Sequence, residues 1–393
     1  MNVIQRGITT LVRSAITGEA LSLPEGFDLE AAFSSIKKHG IVTLIYDGAV
    51  KCGINKDLPV MQQMFKIYLQ QLLHSESQMQ ALQNLCAAMD ARGFDHLLLK
   101  GSVIKSLYPK PELRPMGDAD ILIRKKQYKA IRSLMEELGY RQTAQGYYDY
   151  GWKAPSLYVE LHHCLSNPYN DDFNNYLGNG WKRANKAPSG RGLFEYSPED
   201  HFVYLFVHFT KHYRDGGIGS KHAVDLWVYH RAYPNMDQDY LHRAFESMGL
   251  DAFYRNIMQM LKVWFCDAPE DEKSAFLTDV IFESSAFSNA EMVKRAVALR
   301  ARNKAGSAKR AKIWRYFRLA FPTRVDMQPK YPILKNAPWL LPILWIVRGF
   351  DALILRRGTV RMQRERINET SDETVESYRE VLRYVGLEYT IKD

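Results

Sequence analysis

Two aspartates, Asp118 and Asp120, lie two residues apart at the start of the apolar stretch DADILI. Successive side chains of a strand point to opposite faces, so a strand here turns both carboxylates to one side, about 7 Å apart along the backbone. Like charges held this close repel each other, and a divalent cation between them removes the repulsion. The spacing therefore predicts a pair of metal-binding carboxylates.

A third acid and a phosphate-binding turn accompany this pair. Glu160 lies in the strand-like YVELHH, where an unpaired carboxylate among apolar residues is costly. Gly101 and Ser102 follow the apolar HLLLK and open a helix, which offers backbone N–H groups and a hydroxyl to a phosphate. Three carboxylates beside such a turn are what two-metal phosphoryl transfer requires, with the ions about 4 Å apart.

The elements that must position these residues are short strands followed by helices. Apolar or alternating stretches predict five strands: FDHLLLK, DADILIR, YRQT, GYYDYGW and SLYVELHH. The stretch KQYKAIRSLMEELG has helical periodicity and ends at Gly139. We expect an α+β fold, a small mixed sheet with helices on one face, flanked by helical N-terminal and C-terminal regions.

The ordered motifs LLLKGS, DAD and VEL resemble the polymerase-β-type nucleotidyltransferase superfamily. More narrowly, LKGSVIKSLYPKPELRPMGDADILI followed by MEELGY is similar to the uncharacterised bacterial nucleotidyltransferases of the NTP_transf_5 type. The resemblance extends over most of the chain, because KKHGIVTLIYDGAV ahead of these motifs, and HFVYLFVHFTKH followed by Asp225 behind them, fit the same outline.

This resemblance implies an Mg²⁺- or Mn²⁺-dependent enzyme that transfers an NMP from an NTP, such as ATP, to a hydroxyl or phosphate acceptor and releases pyrophosphate. It implies that Asp118, Asp120 and Glu160 are the catalytic, metal-binding carboxylates. The implied triphosphate contacts are Lys100, Gly101, Ser102 and Arg114. The acceptor stays open between a sugar, a lipid-linked sugar and a peptide.

Four regions are expected along the chain. They are a helical N-terminal region (1–92), the nucleotidyltransferase core (93–190), a helical domain that closes the cleft (191–301) and a basic, aromatic-rich C-terminal helical region (302–393). The polar stretch 167–190 is expected to be a connection, and Ser197 is expected to cap a helix that runs to Tyr213.

Charge is concentrated toward the C-terminus. Residues 294–366 contain 19 Lys and Arg against three acids, whereas the whole chain has a net charge of +9. Such a segment either forms a solvated helix face or meets an anionic partner, which could be an acceptor, a phospholipid, a triphosphate or a nucleic acid, although no base-recognition motif favours the last. The apolar stretch 336–347 is either a buried helix or hairpin, or a segment in peripheral contact with a membrane.

The location expected from composition is the cytoplasm, including the inner face of the membrane. The four cysteines lie far apart without a CxxC pair, and no secretory apolar segment precedes them. No apolar run approaches the roughly 20 residues of a membrane-spanning helix.

Other residues leave alternatives open. His162 and His163 follow Glu160, and His162 shares its face. The alternatives here are a metal ligand, a contact to the acceptor, or a structural histidine. His208 and His212 have zinc-like spacing without a third ligand. Lys211, His212 and Asp225 are candidates for lining the cleft, and the aromatic residues Tyr147, Tyr148, Tyr150 and Trp152 either stack on a base or pack in the sheet. The alternative function is a non-catalytic regulatory module that binds nucleotide or nucleic acid on the same fold.

Overall fold

The structure of the 393-residue chain is a computed structural model. It describes residues 1–146, 149–165, 171–188, 190–284, 316–317, 320–327, 331–335, 337–354 and 372–387. The chain forms two compact units. The first comprises Met1–Tyr213, Gly217–Asn289 and Val385–Leu387, and the second comprises the other residues.

The N-terminal part of the first unit is helical. Its helices are α1 (Val3–Thr17), α2 (Leu29–His39), α3 (Val42–Lys51) and the 33-residue α4 (Pro59–Ala91). Side chains of Asn2 and Asp28 accept hydrogen bonds from the first turns of α1 and α2. Gly18 and Gly40, both at positive φ, end these two helices, so local sequence sets their bounds.

A seven-stranded mixed sheet follows, with the strand order β3-β4-β5-β2-β1-β7-β6. The strands are β1 (His96–Leu99), β2 (Ala119–Ile123), β3 (Arg141–Gln145), β4 (Asp149–Lys153), β5 (Tyr158–His162), β6 (Asn185–Lys186) and β7 (Leu193–Glu195). The short helix α5 (Gly101–Ile104) follows β1, and α6 (Tyr128–Glu137) follows β2. The predicted α+β fold is confirmed.

The register of the sheet decides which side chains meet. Strand β2 pairs antiparallel with β1 and parallel with β5, and the parallel register places Asp120 opposite Glu160. Ala119, Ile121 and Ile123 alternate with Asp120 and pack with α4 and α6 in one hydrophobic core. One face of the sheet is therefore covered by helices, and the other face presents the carboxylates.

Helices dominate after β5, and the first of them precedes the last two strands. They are α7 (Asp171–Leu177), α8 (Pro198–Gly216), α9 (Ser220–Ala232), α10 (Gln238–Ser247), α11 (Asp251–Phe265) and α12 (Glu272–Glu283). Ser197 caps α8 as predicted, since its side chain accepts a hydrogen bond from the Asp200 N–H. The stretch 167–190, predicted as a plain connection, contains α7 and the two-residue β6 instead. Such short elements leave no periodic pattern to read.

The described part of the second unit is helical, with α13 (Arg324–Met327), α14 (Leu341–Ile354) and α15 (Asp372–Tyr384). The Trp345 indole N–H donates to the Pro322 carbonyl at 2.8 Å. The apolar stretch 336–347 contributes to α14, and its side chains Trp339, Ile343 and Ile346 are exposed. Much of the basic segment 294–366 lies outside the described residues. Among the residues that are described, no helix is both long and apolar enough to cross a membrane.

Candidate active site

A cavity of about 360 Å³ lies in the first unit between the exposed face of the sheet and two helices. The acidic and basic side chains of the sheet wall come from β1, β2, β4, β5 and their ends: Lys100, Asp118, Asp120, Asp149, Glu160 and His162. Those of the helical wall come from α8 and α9: His208, Lys211, His212, Lys221, His222 and Asp225. Tyr204, Leu205, Phe209 and Leu226 of the same two helices also line the cavity.

Asp120 is the centre of the sheet wall. The Lys100 ammonium donates to Asp120 Oδ1 at 2.6 Å, and His162 Nε2 lies 2.7 Å from the same oxygen. The His162 Nε2 atom is also 3.5 Å from Glu160 Oε2. These contacts follow from the register, because Asp120 and Glu160 are opposite each other and His162 lies two residues further along β5 on the same face.

The charges of this cluster stabilise one another. Burial opposes ionisation of Asp120, but Lys100 and the hydrogen-bonded His162 hold the pKa of its carboxyl well below the ordinary range. Burial would likewise lower the pKa of Lys100, and the Asp120 carboxylate raises it above its usual value. The same balance raises the pKa of His162, since burial is outweighed by its hydrogen bonds with Asp120 and Glu160. Asp120 is therefore ionised at neutral pH.

Asp118 has a different environment from Asp120. It precedes the first residue of β2, lines the cavity and is half-buried. Burial and then the neighbouring Asp120 carboxylate raise its pKa. Repulsion from the Asp120 carboxylate thus adds to the larger effect of burial, and both favour the protonated form of Asp118.

The turn after β1 has unusual backbone geometry at Lys100, where φ is +45° and ψ is −121°. Left-handed φ values are unfavourable for residues with a Cβ and persist where surrounding contacts compensate, as at functional sites. Gly101 follows, and a Cβ at this position would lie 2.5 Å from Arg114 Nη1. The absence of a side chain at Gly101 therefore allows Arg114 to approach the turn closely.

Arg114 is held in a buried bidentate ion pair. Its Nε and Nη2 donate to the two carboxylate oxygens of Asp225 at 2.9 and 2.8 Å, and the Tyr108 hydroxyl donates to Asp225 at 2.8 Å. Burial opposes the charge on Asp225, but the Arg114 guanidinium holds the pKa of this carboxyl below its ordinary value. This pair ties the proline-rich loop before β2 to α9, and it leaves Nη1 of Arg114 next to Gly101.

The helical wall brings together three imidazoles from two helices. The ring centroids of His208 and His212 are 4.4 Å apart, and the His222 ring lies 6.4 and 6.2 Å from them. Burial lowers the pKa of His212 to about 4, with a further contribution from Lys211. Burial also depresses the pKa of His208 and His222 well below the ordinary value. All three rings are therefore neutral at pH 7.

Lys221 places an ammonium on the helical wall, and the pKa of this group is lowered. Burial, followed by the nearby Arg114 charge, lowers its pKa to about 8. An ammonium with this pKa is still mostly charged at pH 7, and an anion in the cavity would stabilise the charged form. The helical wall thus faces the carboxylates with cationic and neutral basic groups.

The structure brings most of the expected site residues to one cavity. Lys100, Gly101, Arg114, Asp118, Asp120 and Glu160 all line it. Ser102 does not line it, although its side chain is buried and its Oγ has no hydrogen-bond partner in the described part of the chain. Lys211, His212 and Asp225, considered for the cleft, line it as well.

Several site residues were missed from the sequence. His162 alternates with Glu160 in the sequence, but this spacing alone does not separate a ligand from a structural histidine. Asp149, Lys221 and His222 had no motif of their own, and they reach the cavity through strand pairing and helix packing. Of the predicted aromatic cluster, Tyr147 and Tyr148 lie outside the described residues, Trp152 is buried in the core, and Tyr150 stacks on Tyr128.

Metal-binding potential is found on the sheet wall. Within the described ranges, three side chains offer ligand atoms within 4.8 Å of one another at one place only, Asp120, Glu160 and His162. Two carboxylates and an imidazole are a chemically suitable donor set for a divalent ion. Asp118 lines the same cavity but does not belong to this group of three. The zinc-like pair His208 and His212 gains His222 as a neighbour without forming such a group.

A small mixed sheet with clustered carboxylates at paired strands defines the class of nucleotidyltransferase-like folds. The chain belongs to the family described as uncharacterised nucleotidyltransferase (NTP_transf_5), whose family model matches residues 25–266. Family and fold together support nucleotidyl transfer from an NTP as the general activity. Among curated proteins, none is detectably similar to this chain.

One solved structure is also similar, the solution structure of the antibiotic-resistance factor ANT(2″)-Ia. The similarity covers 48% of this chain and 97% of that chain, with 14% sequence identity and a TM-score of 0.33.

Proposed function

We propose that this protein is a metal-dependent nucleotidyltransferase that transfers an NMP from an NTP to a hydroxyl or phosphate acceptor and releases pyrophosphate. The observation that carries the proposal is the pairing of Asp120 with Glu160 on adjacent strands of a cavity whose other wall is basic. Such a cavity suits a metal-bound triphosphate, because the carboxylates can bind the metal ion and the basic side chains can bind the phosphate oxygens.

In this proposal Asp118, Asp120 and Glu160 hold Mg²⁺ or Mn²⁺. A bound divalent ion supplies charge neutralisation for the phosphates and activation of the attacking group. Glu160 also orients the acceptor, because it lies on the sheet wall where β2 pairs with β5 and its side chain is only partly buried. The low pKa of Asp120 favours the ionised carboxylate that metal ligation needs.

The triphosphate is assigned to the turn after β1. Lys100 and Gly101 line the cavity there, the Ser102 hydroxyl is buried without a partner in the described chain, and Arg114 Nη1 lies next to Gly101. Lys221 on α9 adds a further cation from the opposite wall. A buried ammonium that already meets the Asp120 carboxylate is placed to exchange that partner for a phosphate oxygen.

The acceptor proposed here is a sugar, a lipid-linked sugar or a peptide, and the location is the cytoplasm with peripheral contact at the inner face of the membrane. Exposed Trp339, Ile343, Ile346 and Val347 near α14 support membrane contact, as does the basic sequence around them. Cosedimentation with phosphatidylglycerol-containing vesicles tests this, and no difference from neutral phosphatidylcholine vesicles would contradict it.

Calorimetric titration of ATP, GTP, CTP and UTP into the full chain with Mg²⁺ or Mn²⁺ tests the function. We expect metal-dependent binding of one NTP by the wild-type protein and its loss in Asp118→Asn/Asp120→Asn. Asp95→Asn is the matched control, because Asp95 pairs with Arg124 at the start of β1 and does not line the cavity. If no NTP binds at millimolar concentration, the non-catalytic binding module becomes the better assignment.

A further inference from the structure

His162 is the one imidazole that the sheet wall directs at its carboxylates. It lies on β5 two residues after Glu160, so both side chains emerge on the cavity face. Its Nε2 is 2.7 Å from Asp120 Oδ1 and 3.5 Å from Glu160 Oε2. A nitrogen therefore lies among the oxygens that would hold a metal ion.

The Nε2 atom of His162 is close enough to both acids for all three side chains to bind one ion. Asp120, Glu160 and His162 form a group of three possible ligands. A single ion with bonds of about 2.0–2.2 Å holds its ligand atoms no more than about 4.4 Å apart, and His162 Nε2 lies within that limit of both acids, at 2.7 and 3.5 Å. His162 is also nearly fully buried, so its imidazole has few alternative positions. Asp118, by contrast, is absent from this group although it lines the same cavity.

A nitrogen ligand changes which ion the site prefers. Mg²⁺ selects oxygen ligands, keeps several waters and gains little from an imidazole. First-row transition ions accept imidazole readily, and Mn²⁺ also accepts the carboxylates present here. Two carboxylates with one imidazole thus form a mixed donor set that distinguishes these ions.

We infer that His162 Nε2 is a ligand of the metal ion held by Asp120 and Glu160, and that it gives the site a preference for Mn²⁺ over Mg²⁺. The inference rests on the proposed function only in that a divalent ion binds these carboxylates. It assigns to this chain a ligand that the predicted set of Asp118, Asp120 and Glu160 did not contain.

The experiment uses Mn²⁺ alone with the full-length protein, in the absence of nucleotide. Electron paramagnetic resonance measures free Mn²⁺ during a titration and so gives its affinity. Pulsed electron paramagnetic resonance on the bound ion then detects a directly coordinated nitrogen. We expect a ¹⁴N modulation in the wild-type complex, and we expect it to be replaced by a ¹⁵N signal in protein labelled with ¹⁵N-histidine.

The variants assign the nitrogen to a residue. His162→Gln should remove the modulation and weaken Mn²⁺ binding about tenfold or more, while Mg²⁺ binding, measured by competition, changes less. His163→Gln is the matched control, because His163 is the next residue and its ring packs near Tyr150. Circular dichroism reports whether each variant folds. If His162→Gln does not fold, the labelled wild-type protein still shows whether a histidine nitrogen binds the ion, and His162→Asn is the second variant that assigns it to this residue.

Bound Mn²⁺ without nitrogen modulation in the wild-type protein would overturn the inference, and so would modulation that survives in His162→Gln. The first would leave an all-oxygen metal site and the proposed function intact. Mn²⁺ binding that is unchanged in Asp120→Asn would show that the ion lies elsewhere, and this result would count against the proposed function as well.

Discussion

On the sheet wall the buried Asp120 carboxylate contacts two bases, whereas on the helical wall three imidazoles contact one another. Lys100 and His162 keep Asp120 ionised, and burial keeps His208, His212 and His222 neutral. Burial disfavours the charged form on both walls, but at Asp120 the charged and hydrogen-bonding partners outweigh it. The sheet wall thus holds fixed charge, and the helical wall holds basic capacity that an incoming anion can convert into charge.

Asp225 is the exception on the helical wall, because its carboxylate is fully engaged by Arg114 and Tyr108. It therefore resembles Asp120 in being a buried acid with cationic and hydrogen-bonding partners. The two acids differ in their basic partners. Lys100 makes a single hydrogen bond to Asp120, whereas Arg114 binds both carboxylate oxygens of Asp225.

The largest effect is expected from Asp225→Asn. This change leaves the Arg114 guanidinium buried without its carboxylate and should lower the free energy of unfolding by about 3–5 kcal/mol. Urea unfolding measures it. The control is Asp95→Asn, which removes a partly exposed ion pair with Arg124 and should cost about 1 kcal/mol or less. If the two variants lost the same free energy of unfolding, burial would not make the Arg114–Asp225 pair more important for stability than the partly exposed pair.

A smaller effect is expected from acid on the imidazole cluster. Burial lowers the pKa of His212 from its ordinary 6.5 to about 4, so between these values the unfolded chain binds the proton and the folded chain does not. Stability therefore falls as pH decreases through this window, by about 2 kcal/mol between pH 7 and pH 5 for this one residue.

His212→Gln removes this contribution, so the variant should lose less stability on acidification than the wild-type protein, as measured by urea unfolding at pH 7 and pH 5. His74→Gln, an exposed position on α4, is the control and should keep the wild-type acid response. The groups that face His212 include His208, His222 and Lys211, so a residual acid sensitivity is expected. If His212→Gln lost as much stability between pH 7 and pH 5 as the wild-type protein, the neutral state assigned to the buried His212 would be contradicted.

The smallest effect concerns anion binding by Lys221. Its pKa of about 8 means that the ammonium is mostly charged at pH 7 and mostly neutral at pH 9. Affinity for inorganic pyrophosphate should therefore fall about tenfold as pH rises from 7 to 9. Calorimetric titration measures this, and Lys221→Met should bind more weakly at pH 7 with a flatter pH profile.

Lys129→Met provides the reference for this measurement, because Lys129 is exposed on α6, which packs on the opposite face of the sheet. If the affinity of Lys221→Met depended on pH as steeply as that of the wild-type protein, another group would be responsible for the titration. Lys105 would then be the candidate, because burial and Arg114 lower its pKa to about 8 as well.

Several helices and strands could be predicted from neighbouring residues alone. Strand β2 was predicted from DADILI because alternation requires only neighbouring residues, and Ser197 was predicted as the cap of α8 because capping involves the next three residues. The strands β6 and β7 were missed because two or three residues have no periodicity, and they exist through pairing with each other and, for β7, with β1. Local pattern is informative only where an element is long enough to repeat.

The sequence by itself determined the family, the fold class and the residue types of the sheet wall, since Asp118, Asp120 and Glu160 lie in motifs that share a strand face. Only the tertiary structure decided that Asp120 pairs with Glu160, that His162 joins them, and that Arg114 is held by Asp225. It also decided that His222 meets His208 and His212. The physical reason is that strand register and helix packing join residues distant in the chain, and burial then sets their charge.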